Sequence, residues 1–372
     1  MNHLLHSVDS LARANGGLPL AVCGLTSALV QTGQTHALKI SLISSKTDLP
    51  SLPTQQLDLI TTDNWIEQLQ TSHQQRPISL IHQHGLWVKS AHTTSTFAGK
   101  NRIPIVISPH GMLEPWALQH HAWRKKLALT LYQKRHLKQA TALHATCEAE
   151  AQHIRELGYT QPIAVIANGV TLPESIQKKE PSGKQRSALF LSRLHPKKGL
   201  PMLLEAWAKI RPLDWNLIIA GNDQNGHLAE LKKQSQQLGL SSQVTFPGPL
   251  YDEAKEQAFQ QADLFILPSH SENFAIVIAE ALAHQLPVIT TRETPWQILE
   301  QQNCGWWVEA QTNTIATALK NATELPAAEL QSMGQSGREL VAEKFLWPKV
   351  AKQMLSFYHW LIDEDDRPDF VI

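Results

Sequence analysis

Short apolar runs rich in β-branched residues alternate along the chain with longer stretches of helical period. Runs at 4–8, 39–43, 78–82, 103–108, 142–144 and 163–166 read as strands. A Gly-Gly turn at Gly16–Gly17 leads into a helical pattern over 20–31. Between 171 and 186 the sequence is TLPESIQKKEPSGKQR, polar and without an apolar period, and it reads as a linker. Strand-like runs then resume at 188–191, 215–220, 244–246, 264–267, 288–290 and 306–308. After 325 the pattern is helical to the end, with Pro348 as a breaker. The apolar face of Met354, Leu355, Phe357, Tyr358 and Trp360 predicts a tail helix lying across both domains. Strand–helix alternation of this kind makes parallel sheets with helices on both faces. The expectation is an α/β chain of two parallel-sheet domains, 1–170 and 187–347, with a tail at about 348–372 packed back on the first. Their C-terminal strand ends would face each other across a cleft, where open α/β sheets bind ligands.

Composition narrows the function classes. A length of 372 residues suits two domains. A hydrophobic share of 42% and a charged share of 18% exclude wholesale disorder. Lys and Arg, 33 together, balance 33 Asp and Glu, so no global charge points to nucleic acid. Cys23, Cys147 and Cys304 are too scattered for a disulfide framework and suit a reducing, cytoplasmic compartment. The apolar stretch 18–30 is too short and too polar to span a membrane and lacks a signal-peptide layout. No His-x3-His pair has a metal-site context, and no Asp-x-Asp pair sits beside a strand. No metal and no cofactor is expected.

Four segments carry chemistry. In PSHSENFAIVIAEALA, 268–283, a helix starting near Asn273 would spread Glu272 and Glu280 over roughly 12 Å at about 1.5 Å per residue. That span fits a nucleotide-sugar, with the N–H groups of Asn273, Phe274 and Ala275 meeting its diphosphate. Glu280 lies among Ala, Ile, Val and Leu and needs a partner, either ribose hydroxyls or a core cation; Glu272 could equally be a helix cap. In LSRLHPKKGL, 191–200, Arg193 and Lys198 sit on a loop after a strand. They could stabilise a diphosphate leaving group without a metal, or form a solvated basic loop. Gly16 and Gly17 allow close backbone approach to a ligand but are not G-x-G-x-x-G, which disfavours a nicotinamide enzyme. His110 in SPHGMLEPW and His84 in IHQHG end strands and can point into the cleft.

Gly16–Gly17, HGML at 110–113, NGV at 168–170, SRLHPKKG at 192–199, ENFA at 272–275 and Glu280 occur in this order. Together they resemble the retaining GT-B glycosyltransferases of family 4, the group 1 glycosyltransferases, over nearly the whole chain. TPWQIL at 294–299 and GWWV at 305–308 resemble bacterial members that build lipopolysaccharide core or exopolysaccharide. The resemblance implies two Rossmann-like domains and metal-independent transfer of a hexose-type sugar from a nucleotide-sugar. Arg193 and Lys198 would hold the diphosphate and Glu280 the ribose. Glu272 with the 273–275 amides would hold sugar and phosphate, and His110 would reach the sugar and help stabilise its positive charge. Ala275 departs from the Gly common in the family. The acceptor would be a glycan or lipid-linked glycan.

Residues 119–140 carry Arg124, Lys125, Lys126, Lys134, Arg135 and Lys138 among apolar positions. Such a stretch can lie on an anionic bilayer, making the enzyme peripheral on the inner face of the membrane, or be an ordinary solvated helix. Other activities fit the same architecture: a nucleotide-sugar 2-epimerase, a glycoside phosphorylase, or a non-catalytic nucleotide-sugar-binding protein.

Overall fold

A computed structural model describes residues 2–33, 38–45, 57–116, 133–176, 185–363 and 365–372. Arg124, Lys125 and Lys126 of the basic stretch, and residues 177–184 of the 171–186 linker, lie outside the described residues. The chain divides into two compact units, Met1–Gly169 with Trp347–Ile372, and Val170–Leu346. Each holds a parallel, Rossmann-like sheet.

The first unit orders seven strands β3-β2-β1-β4-β5-β6-β7. They are β1 (His3–Val8), β2 (Lys39–Ser44), β3 (Leu57–Thr61), β4 (Leu80–His84), β5 (Ile105–Ser108), β6 (Ala142–Ala145) and β7 (Ile163–Val165). Helices Gly17–Gly33 and Trp347–Asp363 cover one face, where Val22, Leu25 and Leu29 pack with Met354, Phe357 and Tyr358. Leu69, Phe97 and Ile154 cover the other from helices Trp65–Gln75, Lys89–Asn101 and Glu148–Glu156. Burial on both faces is why these strands, with one exception, carry an apolar signal in the sequence. The exception is β3, LDLIT, which lies at the sheet edge with Asp58 exposed; its broken run gave no strand signal.

The tail differs from the expected continuous helix. Pro348 does not break a helix but sits in the first turn of Trp347–Asp363, where its missing N–H costs nothing. The helix ends at Asp363, and the chain then returns extended. Val371 bridges Ala164, and Ile163 and Ile372 exchange N–H···O bonds of 3.0 and 2.9 Å, so β7 does not end the sheet as an open edge. The Trp347 indole rests where a Cβ on Gly24 would come within 2.1 Å of it.

The second unit orders six strands β10-β9-β8-β11-β12-β13. They are β8 (Arg186–Leu191), β9 (Trp215–Ala220), β10 (Val244–Gly248), β11 (Leu264–Leu267), β12 (Val288–Thr291) and β13 (Gly305–Val308). Strand order reverses between β1 and β4 in one sheet and between β8 and β11 in the other.

Candidate functional site

In the second unit the loops after β8 and β11 leave adjacent strands at the reversal point. Pro196–Lys198 forms a 3-10 turn capped by His195 Nδ1, which accepts the Lys197 N–H at 3.0 Å. Gly199 follows with φ 69°; a Cβ there would lie 2.0 Å from Pro268 O, so only glycine lets the two loops touch. The His270 N–H donates to Lys197 O at 2.7 Å and completes the seam. Lys198 thereby reaches Glu272: its Nζ donates to Oε1 of that carboxylate, which also accepts the Ser269 hydroxyl at 2.6 Å. Burial lowers the Lys198 pKa, with the charges of Arg193 and Lys197 acting in the same direction and Glu272 opposing. Burial acts to raise Glu272, but the Lys198 charge and the hydrogen bonds from Lys198 and Ser269 outweigh it and hold it below its ordinary value. Glu272 is thereby ionised at neutral pH. Half-buried Arg193 makes no ion pair among the described residues, so the loop carries cationic charge beyond what Glu272 balances.

The helix expected from Asn273 begins later, at Ile276. Ala275 precedes it in the left-handed region, φ 59° and ψ 63°, so residues 273–275 form a loop and Glu272 stands outside the helix. The rise of about 1.5 Å per residue therefore does not apply to the whole Glu272–Glu280 interval. Helical geometry leaves the N–H groups of Ile276 and Val277 without intrahelical partners, while that of Ile278 turns back on Ala275 O at 2.8 Å. Phe274 is anchored behind the loop: its carbonyl accepts the Trp296 indole N–H at 2.6 Å, and its ring packs on Trp296 and Phe345. Glu280 has a protein partner, Lys255 Nζ at 2.6 Å, from helix Asp252–Gln261. Lys255 gave no signal in the sequence; it lies 25 residues away on a mostly polar helix.

In the first unit Gly16 (φ 76°) ends the loop after β1, and Gly17 opens the next helix. His110 (φ 52°) and Gly111 (φ 74°) are successive left-handed residues after β5. This turn is held by Glu150, 2% exposed. Its Oε1 accepts the Gly111 N–H at 2.6 Å, and its Oε2 accepts the Thr146 N–H at 2.8 Å. Sequence reasoning missed Glu150, an acidic residue in a first helical turn that resembles any other.

His84, picked out in the sequence as a strand-end residue that could face a cleft, is instead buried, 3% exposed, in a layer of histidines around β1 and β4 that the sequence reading missed. One chain of bonds is fully assigned by chemistry. Burial pushes the Tyr358 pKa well up, so its hydroxyl keeps its proton and donates to His82 Nδ1 at 2.5 Å. His82 Nε2–H donates to Ser108 Oγ at 2.6 Å, Ser108 donates to His144 Nδ1 at 2.7 Å, and His144 Nε2–H donates to Ile166 O at 2.8 Å. A second chain joins His6, His84 and His110, each pair 3.0 Å apart. His6, His82 and His84 place three nitrogens within 4.8 Å of one another. Both His82 nitrogens are already engaged, so the layer is spaced for hydrogen bonds. Burial lowers His6 and His110 to about 3 and His144 to about 4, and takes His82 and His84 well below 6.5.

Of the basic stretch, helix Lys134–Gln139 is described. It exposes Lys134, Arg135 and Lys138 and buries His136 and Leu137. No described helix is long and apolar enough to cross a membrane.

Residues 173–340 match the family "Glycosyl transferases group 1", and residues 11–169 match the "Glycosyl transferase 4-like domain". A human alpha-1,3/1,6-mannosyltransferase is 30% identical over 200 residues, 50% of this chain and 48% of the relative. A D-inositol 3-phosphate glycosyltransferase of Rhodococcus erythropolis is 25% identical over 307 residues, 77% and 69% of the two chains. The chain thus spans about half the length of the human relative. Among solved structures, a sucrose-phosphate synthase from Thermosynechococcus elongatus aligns with a TM-score of 0.79 at 20% identity, covering 98% of this chain and 100% of that one. Anabaena HepE in complex with UDP and glucose aligns at 0.76 and 18%, covering 96% and 99%. At these identities the structural likeness speaks for the fold alone.

Proposed function

Since the chain belongs to the group 1 glycosyltransferases of GT-B fold, we propose that it moves a hexose-type sugar, with retention of configuration, from a nucleotide-sugar to a glycan or lipid-linked glycan. The observation that carries this reading is the seam of the β8 and β11 loops. It sets Arg193 and Lys198 beside a helix N-terminus at the reversal of strand order, with more positive charge than Glu272 balances. Such a place attracts a diphosphate.

Departure of the nucleotide leaves negative charge on its terminal phosphate. Arg193 and Lys198 are preorganised to receive that charge, which is the work a divalent cation does elsewhere. Glu272, fixed by Ser269 and Lys198, accepts hydrogen bonds from sugar hydroxyls. Asn273, Phe274 and Ala275 shape the approach to the sugar, Glu280 takes ribose hydroxyls in exchange for part of its contact with Lys255, and Gly16 and Gly17 admit substrate close to the backbone. His110 contacts the transferred sugar. A role in bacterial cell-surface polysaccharide rests on the likeness of TPWQIL at 294–299 and GWWV at 305–308 to bacterial members of the family. The exposed cations of Lys134–Gln139 suit an anionic membrane surface.

A thermal-shift screen with UDP-, GDP- and ADP-sugars tests the donor site. Saturating donor at 100 times Kd stabilises by about 2.7 kcal/mol. The responding sugar is then offered to lipid-linked and soluble glycans. Arg193→Ala and Lys198→Ala should each lower turnover by about 10²–10³ with the fold intact. Response to no nucleotide-sugar, or wild-type turnover in both variants, would remove the proposal.

A further inference from the structure

The transfer chemistry proposed above uses His110 but none of the buried imidazoles behind it. Two hydrogen bonds run in line through them. His6 Nδ1 lies 3.0 Å from His84 Nε2, and His84 Nδ1 lies 3.0 Å from His110 Nε2. His6 and His84 flank the reversal point on adjacent strands, β1 and β4, while His110 is only partly buried, so the line runs from the core towards solvent.

The rings are neutral at neutral pH, since burial lowers all three. Each therefore carries one N–H. Only two proton arrangements complete both bonds. In one, every N–H is on Nδ1: His6 donates to His84, and His84 donates to His110. In the other, every N–H is on Nε2 and both donations reverse. The second leaves a proton on His6 Nε2, a buried atom with no hydrogen-bond partner. The first leaves only a lone pair there. A buried N–H without an acceptor is the costlier defect, so the first arrangement prevails. His110 Nδ1 then carries the outward proton. The backbone is fixed to match, because Glu150 holds the N–H of the next residue, Gly111.

We propose that His84, backed by His6, is a positioning residue that holds His110 in the Nδ1–H tautomer, so that His110 offers substrate a hydrogen-bond donor instead of a base. The partner is an oxygen of the transferred sugar or of its phosphate. The inference rests on His110 touching substrate as proposed above. The logic is that of a buried group fixing the tautomer of a histidine that meets substrate.

The decisive measurement uses the free protein. Long-range ¹H–¹⁵N correlation spectra of histidine-labelled protein separate protonated from unprotonated ring nitrogens, and His110→Gln assigns the His110 signals. The expected pattern is a protonated Nδ1 and a bare Nε2. In His84→Leu that preference should be lost, and kcat should fall by about 10–100-fold, the usual effect of removing a partner that orients a functional histidine. Donor KM should be unchanged. His84→Asn, whose amide N–H can replace the Nδ1–H, should restore the tautomer and most of kcat. A protonated Nε2 on His110 in the wild-type protein overturns the proposal even if His84→Leu does not fold. So does an unaltered His110 tautomer in folded His84→Leu. If no nucleotide-sugar binds while His110 shows a protonated Nδ1, the transferase reading fails and the tautomer assignment stands.

Discussion

The buried histidine layer should make the first unit sensitive to mild acid. His6, His82, His84 and His144 are 0–3% exposed, and burial holds each below its ordinary value of 6.5. In the unfolded chain they return to about 6.5. As pH falls the unfolded state binds protons first, so stability is intact above 6.5 and lost below it, down to the folded-state values. At pH 5.5 one such group favours unfolding by about 1.4 kcal/mol. Four acting together reach roughly 6 kcal/mol, an upper value comparable with the whole stability of many domains, about 5–15 kcal/mol. Glu272 contributes little in this window, because it titrates below its ordinary 4.5. Urea unfolding at pH 7.5, 6.5 and 5.5, followed by tryptophan fluorescence, measures the effect. The slope of stability against pH below 6.5 should reach at least three to four protons by this reasoning, since burial also lowers His3, His110 and His136. His6→Leu should flatten it by about one. A stability that is level from pH 7.5 to 5.5 would mean the layer is hydrated or already charged, and the reasoning would fail.

Three further outcomes follow from the same structure. Ala275→Gly should raise stability by about 1 kcal/mol in thermal melts, since it relieves a left-handed alanine; a loss would mean the Cβ packs usefully. Transfer activity should survive EDTA, with strict dependence on Mg²⁺ or Mn²⁺ arguing against Arg193 and Lys198 as the leaving-group cations. Replacing exposed Lys134, Arg135 and Lys138 with Gln should weaken flotation with anionic vesicles, each cation counting for about 1 kcal/mol near the surface; equal flotation with neutral vesicles would make the stretch a plain solvated helix.

The fold was legible wherever strands are buried on both faces. LFIL of β11 and KISLIS of β2 announce themselves by composition, whereas β3 at an edge does not. The helix start at 276 was not readable, because a positive φ at an alanine is imposed by its surroundings, here Phe274 locked under Trp296. Motif residues on the β8 and β11 loops could be picked out singly. Their seam could not, since it depends on Gly199 meeting a backbone carbonyl 69 residues later. Lys255 and Glu150 were invisible for the same reason: each is an ordinary charged helix residue until the fold brings it to Glu280 or Gly111. In the histidine layer, the period-two pair His82 and His84 on β4 was the only local signal. Its meaning required knowing that β1, 76 residues earlier, is the neighbouring strand.

Three of the nine non-glycine residues with positive φ among the described residues lie by the two reversal points. Non-glycine residues with positive φ include Trp87 just after β4, His110 just after β5 and Ala275 in the loop after β11. Each leaves the C-terminal end of a strand at or next to a reversal. Left-handed conformations in such residues cost of order 1–3 kcal/mol and persist only where surrounding contacts impose them. At His110 the imposing contacts are the Glu150 carboxylate on Gly111 and the His84 ring on its side chain. At Ala275 they are the Trp296 bond to Phe274 O and the turn of the Ile278 N–H onto Ala275 O. Both positions spend stability on direction, at the strand ends where an open α/β sheet meets its ligand. The buried histidines extend the same trade inward: neutral imidazoles in place of aliphatic side chains weaken the unit in acid while fixing how one half-exposed ring faces outward. An apolar core at β1 and β4 would be the more stable choice in acid, and it would leave His110 free to turn.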